Sequence, residues 1–169
     1  YCGPCAQAHE VLHELLEKND IGLTVRFTIN TKNKKDKKLQ AATYIHQLVN
    51  GKEPGYKRMV LHDWYKEISM EKFQEKYSVQ LRMNKIRSNE TLGSVNGSPA
   101  EGGVIEALLQ QEKWSDKSKI AFTPTIFING NEMPKQYNVN DLAGLMRGVV
   151  EKYKNEIDAV GQMKLQTQY

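Results

Sequence analysis

Two cysteines two residues apart, Cys2-Gly3-Pro4-Cys5, open a helical pattern and constrain this chain more than any other feature. Cysteines at that spacing can close a small disulfide. The first, at a helix N-terminus, lies beside the positive end of the helix dipole and free backbone N–H groups, and both favour its thiolate. Such a thiol attacks disulfides, and its neighbour resolves the mixed disulfide that forms. The chain has no other cysteines. A structural disulfide framework spreads its cysteines along the sequence, so that use is set aside. A C-x-x-C pair alone also fits half of a zinc site, with His9 as a third ligand. No second pair completes such a site, and His9 and His13, four apart on one helix face, read as surface or boundary residues. His46 and His62 have no motif around them.

The pattern after the cysteines is helical over residues 4–18. Pro4 suits a first turn, and Ala8, Val11, Leu12, Leu15 and Leu16 recur on one face. Asn19 and Asp20 end it. Residues 22–30 alternate apolar and polar types and are rich in β-branched side chains, which predicts a strand. Helical spacing then returns over 36–49, again around Met59, Val60, Leu61, Trp64 and Tyr65, and over 70–77. Residues 84–103, rich in Asn, Ser and Gly, read as a loop. Residues 104–114 predict a helix with Ile105, Leu108 and Leu109 turned inward. Near the end, Phe122-Thr123-Pro124-Thr125 leads into the apolar run Ile126-Phe127-Ile128. Asn129-Gly130 signals a hairpin, and Asn131 to Pro134 form its return strand. A helix follows from Asn140 and Asp141 through Tyr153, and residues 159–169 read as a fraying tail. No internal repeat is present.

Composition narrows the function classes. Of 169 residues, 39% are hydrophobic and 26% charged, the ordinary balance of a globular domain. No apolar run approaches the roughly 18 residues that span a membrane. The net charge of +4 owes much to Lys32, Lys34, Lys35, Lys37 and Lys38. No stacking aromatics interleave with these lysines, so they read as a solvated segment, and no nucleic-acid partner is expected. Trp64 and Trp114 read as packing residues, with a substrate groove around Met59, Trp64 and Tyr65 as the sharper alternative. Asn89-Glu90-Thr91 and Asn96-Gly97-Ser98 match a glycosylation pattern that is usually accidental.

Two separated motifs together resemble the thioredoxin superfamily, and within it the DsbA-like oxidoreductases. One is the Cys2-Gly3-Pro4-Cys5 helix, and the other is the stretch from Phe122 through Asn129-Gly130. The resemblance implies an α/β, thioredoxin-like fold with a helical insertion, because the interval between Cys5 and Pro124 is far longer than in a simple thioredoxin. Residues 1–30 and 120–157 would be the core of a single domain, 31–119 the insertion, and 158–169 the frayed tail. It implies a cis Thr123–Pro124 bond facing the cysteines, with Thr123 and Pro124 binding an extended substrate chain by strand addition. Cys2 would be the exposed nucleophile and Cys5 the resolving thiol, with Gly3 and Pro4 tuning the pair. In this fold a central strand precedes the motif, and only Tyr1, where thioredoxins usually carry Trp, stands before Cys2. The expectation is a fragment whose first strand, with any buried acidic residue for proton transfer, lies upstream.

More narrowly, the run from Thr123 through Gly130, then Pro134 and Tyr137 before an acidic helix cap, resembles thioredoxin-like domains fused to or working with bacterial vitamin K epoxide reductase homologues. The resemblance therefore implies a periplasmic or otherwise extracytoplasmic oxidoreductase. Its partners would be cysteine-containing proteins and a membrane redox partner of that kind, with no organic cofactor and no metal. The Gly3-Pro4 pair matches reducing thioredoxins, whereas DsbA oxidases carry Pro-His, whose histidine stabilises the thiolate. Donation of disulfides and reduction of exported thiols both stay open. A metal- or peptide-binding module with incidental thiols is the alternative from another class.

Overall fold

The computed structural model of the chain describes residues 2–18, 21–67, 69–87 and 99–166. Tyr1, the Asn19-Asp20 helix end and both Asn-x-Ser/Thr triplets lie outside the described residues. The chain divides into two compact units, Tyr1–Thr125 and Ile126–Tyr169.

The first unit is built from helices: α1 (Gly3–Lys18), α2 (Lys37–Val49), α3 (Pro54–Glu67), α4 (Met70–Arg87) and α5 (Pro99–Lys117). Each start has a local cause. Pro4 sits in the first turn of α1, where no intrahelical N–H partner is lost, and the backbone N–H groups of Cys5 and Ala6 both donate to the Cys2 carbonyl at 3.1 Å. Asp36 caps α2, accepting from the Lys38 backbone N–H at 2.9 Å. Pro54 opens α3. Helices α4 and α5 extend further into the Asn-, Ser- and Gly-rich stretch than the composition of 84–103 suggests: α4 runs to Arg87 and α5 begins at Pro99.

Helix α2 lies between two clusters. Ile45 and Leu48 pack with Val60, Phe73 and Tyr77, and Trp64 meets Phe73 edge-on at 5.2 Å between centroids. Ala42, one turn before Ile45, packs instead with Val104 and Leu108. This is an amphipathic helix buried on more than one side. In α5 Leu108 is buried as expected and Leu109 half-buried, but Val104 takes the inward place expected for Ile105, which is 56% exposed. Trp64 and Trp114 are half-buried, and Arg26 lies over the Trp114 ring at 4.8 Å.

The predicted strand at 22–30 is a correction. The segment forms no ladder with any described residue. Its alternation still acts: Phe27 and Ile29 pack against the helical clusters. Its polar backbone is met by α5 side chains instead. The Phe27 N–H donates to Gln111 Oε1 at 2.8 Å and the Thr31 N–H to Glu112 Oε1 at 3.2 Å, and the Thr31 hydroxyl also donates to Glu112. Period-two patterning selects an extended, one-sided segment, and a β-ladder also requires a neighbouring backbone.

The second unit holds a two-stranded antiparallel hairpin, β1 (Phe127–Ile128) and β2 (Asn131–Glu132), with Phe127 opposite Glu132. Asn129 and Gly130 both have positive φ, 49° and 83°, as the tight turn demands. The strands are shorter than the apolar run and the return segment predict. The chain is accordingly mostly helical with a small sheet, rather than evenly α/β. The last helical stretch is capped by Asn138, two residues before the expected start at Asn140. Asn138 accepts from the Asn140 N–H at 2.8 Å while Asp141 Oδ2 accepts from the Asn138 N–H at 2.8 Å, a reciprocal cap. A 3-10 turn, Val139–Asp141, leads into α6 (Leu142–Gln166), which continues past Tyr153 into the segment read as a tail.

Candidate functional site

The start of α1 carries the cysteines. Cys2 and Cys5 are joined by a disulfide, with their Cα atoms 5.2 Å apart. Helical winding from Gly3 brings the two side chains to one side of the first turn, and the Cys5 N–H donates to Cys2 Sγ at 3.2 Å. That N–H is shared between the Cys2 carbonyl, at 3.1 Å, and the Cys2 sulfur. Gly3 and Pro4 are exposed, and Cys2 and Cys5 are half-buried. A reagent in solvent therefore reaches the pair at its edge.

The second motif comes to the same place. Thr123 lies 121 positions away in sequence, yet its hydroxyl Oγ1 is 3.5 Å from Cys2 Sγ and its carbonyl oxygen 3.6 Å from the same sulfur. The Thr123–Pro124 peptide bond is cis. The loop is held by its own chain: the Thr125 hydroxyl donates to the Phe122 carbonyl at 2.6 Å. A disulfide sulfur has no proton, so in the oxidised form the 3.6 Å approach to the carbonyl is a contact. Once reduced, a Cys2 thiol has a proton to donate to that carbonyl, and a Cys2 thiolate can accept one from the Thr123 hydroxyl. Cys2, Cys5 and Thr123, the residues picked from two distant motifs, thus meet within the first unit.

Two features escaped the sequence reading. Phe122, which directly precedes Thr123 in the chain, is 56% exposed. Behind the cysteines, His9, His13 and His62 come together. His9 lies 5.8 Å from His62 and 6.1 Å from His13 between ring centroids, and His13 and His62 are 4.5 Å apart. Tyr65 stacks on His9 at 4.8 Å. His9 is buried, not a surface residue. Burial, with the neighbouring His62 and His13, pushes its imidazole from its ordinary 6.5 down to about 4. His62 is also lowered, first by burial and then by Lys66 and His13. Only His9 and His13 share a helix; nothing in the sequence around His62 points to them. Among the described residues no group of three or more His, Cys, Asp or Glu is arranged to hold a metal ion.

An oxidised C-x-x-C pair at a helix start, apposed to a threonine-proline loop, defines the thiol–disulfide exchange class. The family described as Thioredoxin matches residues 1–147, nearly the whole chain, and the protein belongs to that family. Neither the curated proteins nor the solved structures contain a match to the chain. Membership carries the family's general oxidoreductase chemistry.

Proposed function

We propose that the protein is a DsbA-like thiol–disulfide oxidoreductase that acts on protein cysteines outside the cytoplasm. The observation that carries this reading is the approach of Thr123 to Cys2 Sγ at 3.5 Å across the disulfide. In the oxidised form a substrate thiolate attacks Cys2 Sγ, the Cys2–Cys5 bond breaks, and the electron pair leaves on the Cys5 sulfur. A second substrate thiolate then attacks the substrate sulfur of the mixed disulfide. Cys2 departs as a thiolate, and two electrons have moved from the substrate to the protein. Run backwards, Cys2 attacks a substrate disulfide and Cys5 resolves it. Thr123 and Pro124 would align the substrate backbone, and Gly3 and Pro4 shape the helix start.

The helices between the two motifs support the reading of 31–119 as a helical insertion, with 1–30 and 120–157 as the thioredoxin core around it. The partners in this reading are cysteine-containing proteins and a membrane-bound vitamin K epoxide reductase homologue that takes the electrons onward. A second reading, a reductase of exported thiols, is favoured by the Gly3-Pro4 pair. The equilibrium reduction potential in glutathione buffers separates the two. A value near about −120 mV belongs to a disulfide donor, and one near about −270 mV to a reductase. Cys2→Ser should abolish exchange with a disulfide substrate, while Cys5→Ser should trap a mixed disulfide. A Cys2→Ser protein that retains exchange would refute both readings.

A further inference from the structure

The histidine cluster joins the helix that carries the cysteines to the rest of its unit. Helix α1 packs chiefly on α3, and the ring contacts lie along that seam: His9 and His13 from α1, His62 and Tyr65 from α3. The rings stack or tilt against one another instead of converging on a point. His9 is 5% exposed, and its Nε2 and His62 Nδ1 are sealed from solvent with no hydrogen-bond partner among the described residues. A neutral imidazole tolerates such a place at modest cost. An imidazolium there is a buried charge with like charges beside it and no acceptor for its proton.

The surrounding charges do not remove that penalty. On α1, Glu17 pairs with His13 at 3.6 Å, Glu14 pairs with Lys18, and Glu10 favours a charge on His62. On α3, Lys66 opposes a charge on His62, and Asp63 favours one. Asp63 is already committed to α4, to Lys76 at 2.8 Å and to the Tyr77 hydroxyl. No carboxylate contact to His9 is present among the described residues.

We propose that the His9, His13 and His62 rings form an acid-sensitive seat for the redox helix: with His9 and His62 neutral, the rings stack α1 onto α3; protonated, these two drive the helices apart and take Cys2 out of register with Thr123. The consequence for Cys2 rests on the redox reading of the site; the seat itself does not. In acid the family chemistry would be switched down by loosening one helix, with the rest of the unit intact.

Amide hydrogen exchange on the oxidised full chain tests this without any redox assay. Protection factors, corrected for intrinsic rates, are measured at pH 7 and pH 4.5. The α1 amides should lose at least about tenfold more protection than those of α2, the weight of one pKa unit. That excess loss should shrink in His62→Gln, which is half-buried, and in His9→Gln, since a neutral amide cannot take the proton. A smaller excess in either variant supports the seat. Equal losses in α1 and α2 of the natural protein, or an excess loss unchanged in both variants, would overturn it. If the Cys2–Cys5 pair proved not to be a reversible couple, these exchange results would still decide the seat.

Discussion

Thr123 contributes two polar groups to one sulfur, and they act on different protonation states of reduced Cys2. Its carbonyl is placed for a thiol proton, its hydroxyl for a thiolate. The hydroxyl is therefore the group whose removal distinguishes stabilisation of the thiolate from mere packing. Thr123→Val keeps the branched shape and deletes the donor. A hydrogen bond of this kind contributes about 0.5–1.5 kcal/mol. Alkylation of reduced Cys2 by iodoacetamide at a fixed pH near neutrality should slow by about two- to tenfold on that basis. An unchanged rate would leave the hydroxyl with no part in thiolate stabilisation. Phe122, the preceding residue, is exposed at the same loop. Thr123 is not distinctive in composition; it matters through its place beside Cys2.

At the scale of elements, the 22–30 segment and α5 act as a pair. Gln111 is 7% exposed and spans two elements: its carbonyl accepts from the Phe27 N–H, and its amide nitrogen donates to His46 Nε2. Burial lowers the His46 imidazole below its ordinary range, so it is a neutral acceptor at pH 7. Gln111→Leu preserves volume and leaves two part-buried groups without a partner, at about 1–3 kcal/mol for an unsatisfied group. Urea denaturation should show that loss with little change in the slope. A loss under about 0.5 kcal/mol, the scale of neutral surface changes, would mean that water satisfies both groups. The alternation of Val25, Phe27 and Ile29 makes the extended, half-buried character of this segment legible in advance. What stands beside it was not legible, because a period of two does not state whether the neighbour is a strand or a row of helical side chains.

Across the whole molecule, titratable groups set both arms of the pH–stability curve. The folded value of His9, about 4, lies below its ordinary 6.5. Between those values the unfolded chain binds more protons, so the contribution is complete above about pH 6.5 and is lost as pH falls toward 4. Asp63 extends the acid loss. Burial alone would raise its carboxyl, but the hydrogen bonds from Lys76 and Tyr77 outweigh burial and hold it below its usual range. Its contribution is present above the ordinary carboxylate value and disappears as pH falls further. The alkaline arm comes from the phenols. Tyr77 is raised by burial and then by Asp63, while Tyr44, Tyr56 and Tyr65 are raised by burial first. Unfolded tyrosines ionise near pH 10, so this contribution fades as pH rises through that value. The urea midpoint should form a plateau between about pH 7 and pH 9 and decline on both sides. His9→Gln should flatten the limb between pH 6.5 and 4 alone; an unaltered limb would assign it to His46, His62 and the carboxylates.

The sequence by itself determined the local conformations and the chemistry available. Pro4, Asp36 and Pro54 start helices, Asn129-Gly130 turns the hairpin, and the only cysteines share one helical turn, because caps, turns and near-neighbour spacing are decided within a few residues. It also pointed to Thr123 and Pro124 through the resemblance their motif carries. Only the tertiary structure decided that Thr123 lies against Cys2, that His62 joins His9 and His13, that α5 rather than a described strand covers 22–30, and that Val104 rather than Ile105 faces inward. Each of these is a contact between residues far apart in the chain. Such contacts are settled by how several apolar faces are buried at once, and no local pattern encodes that choice.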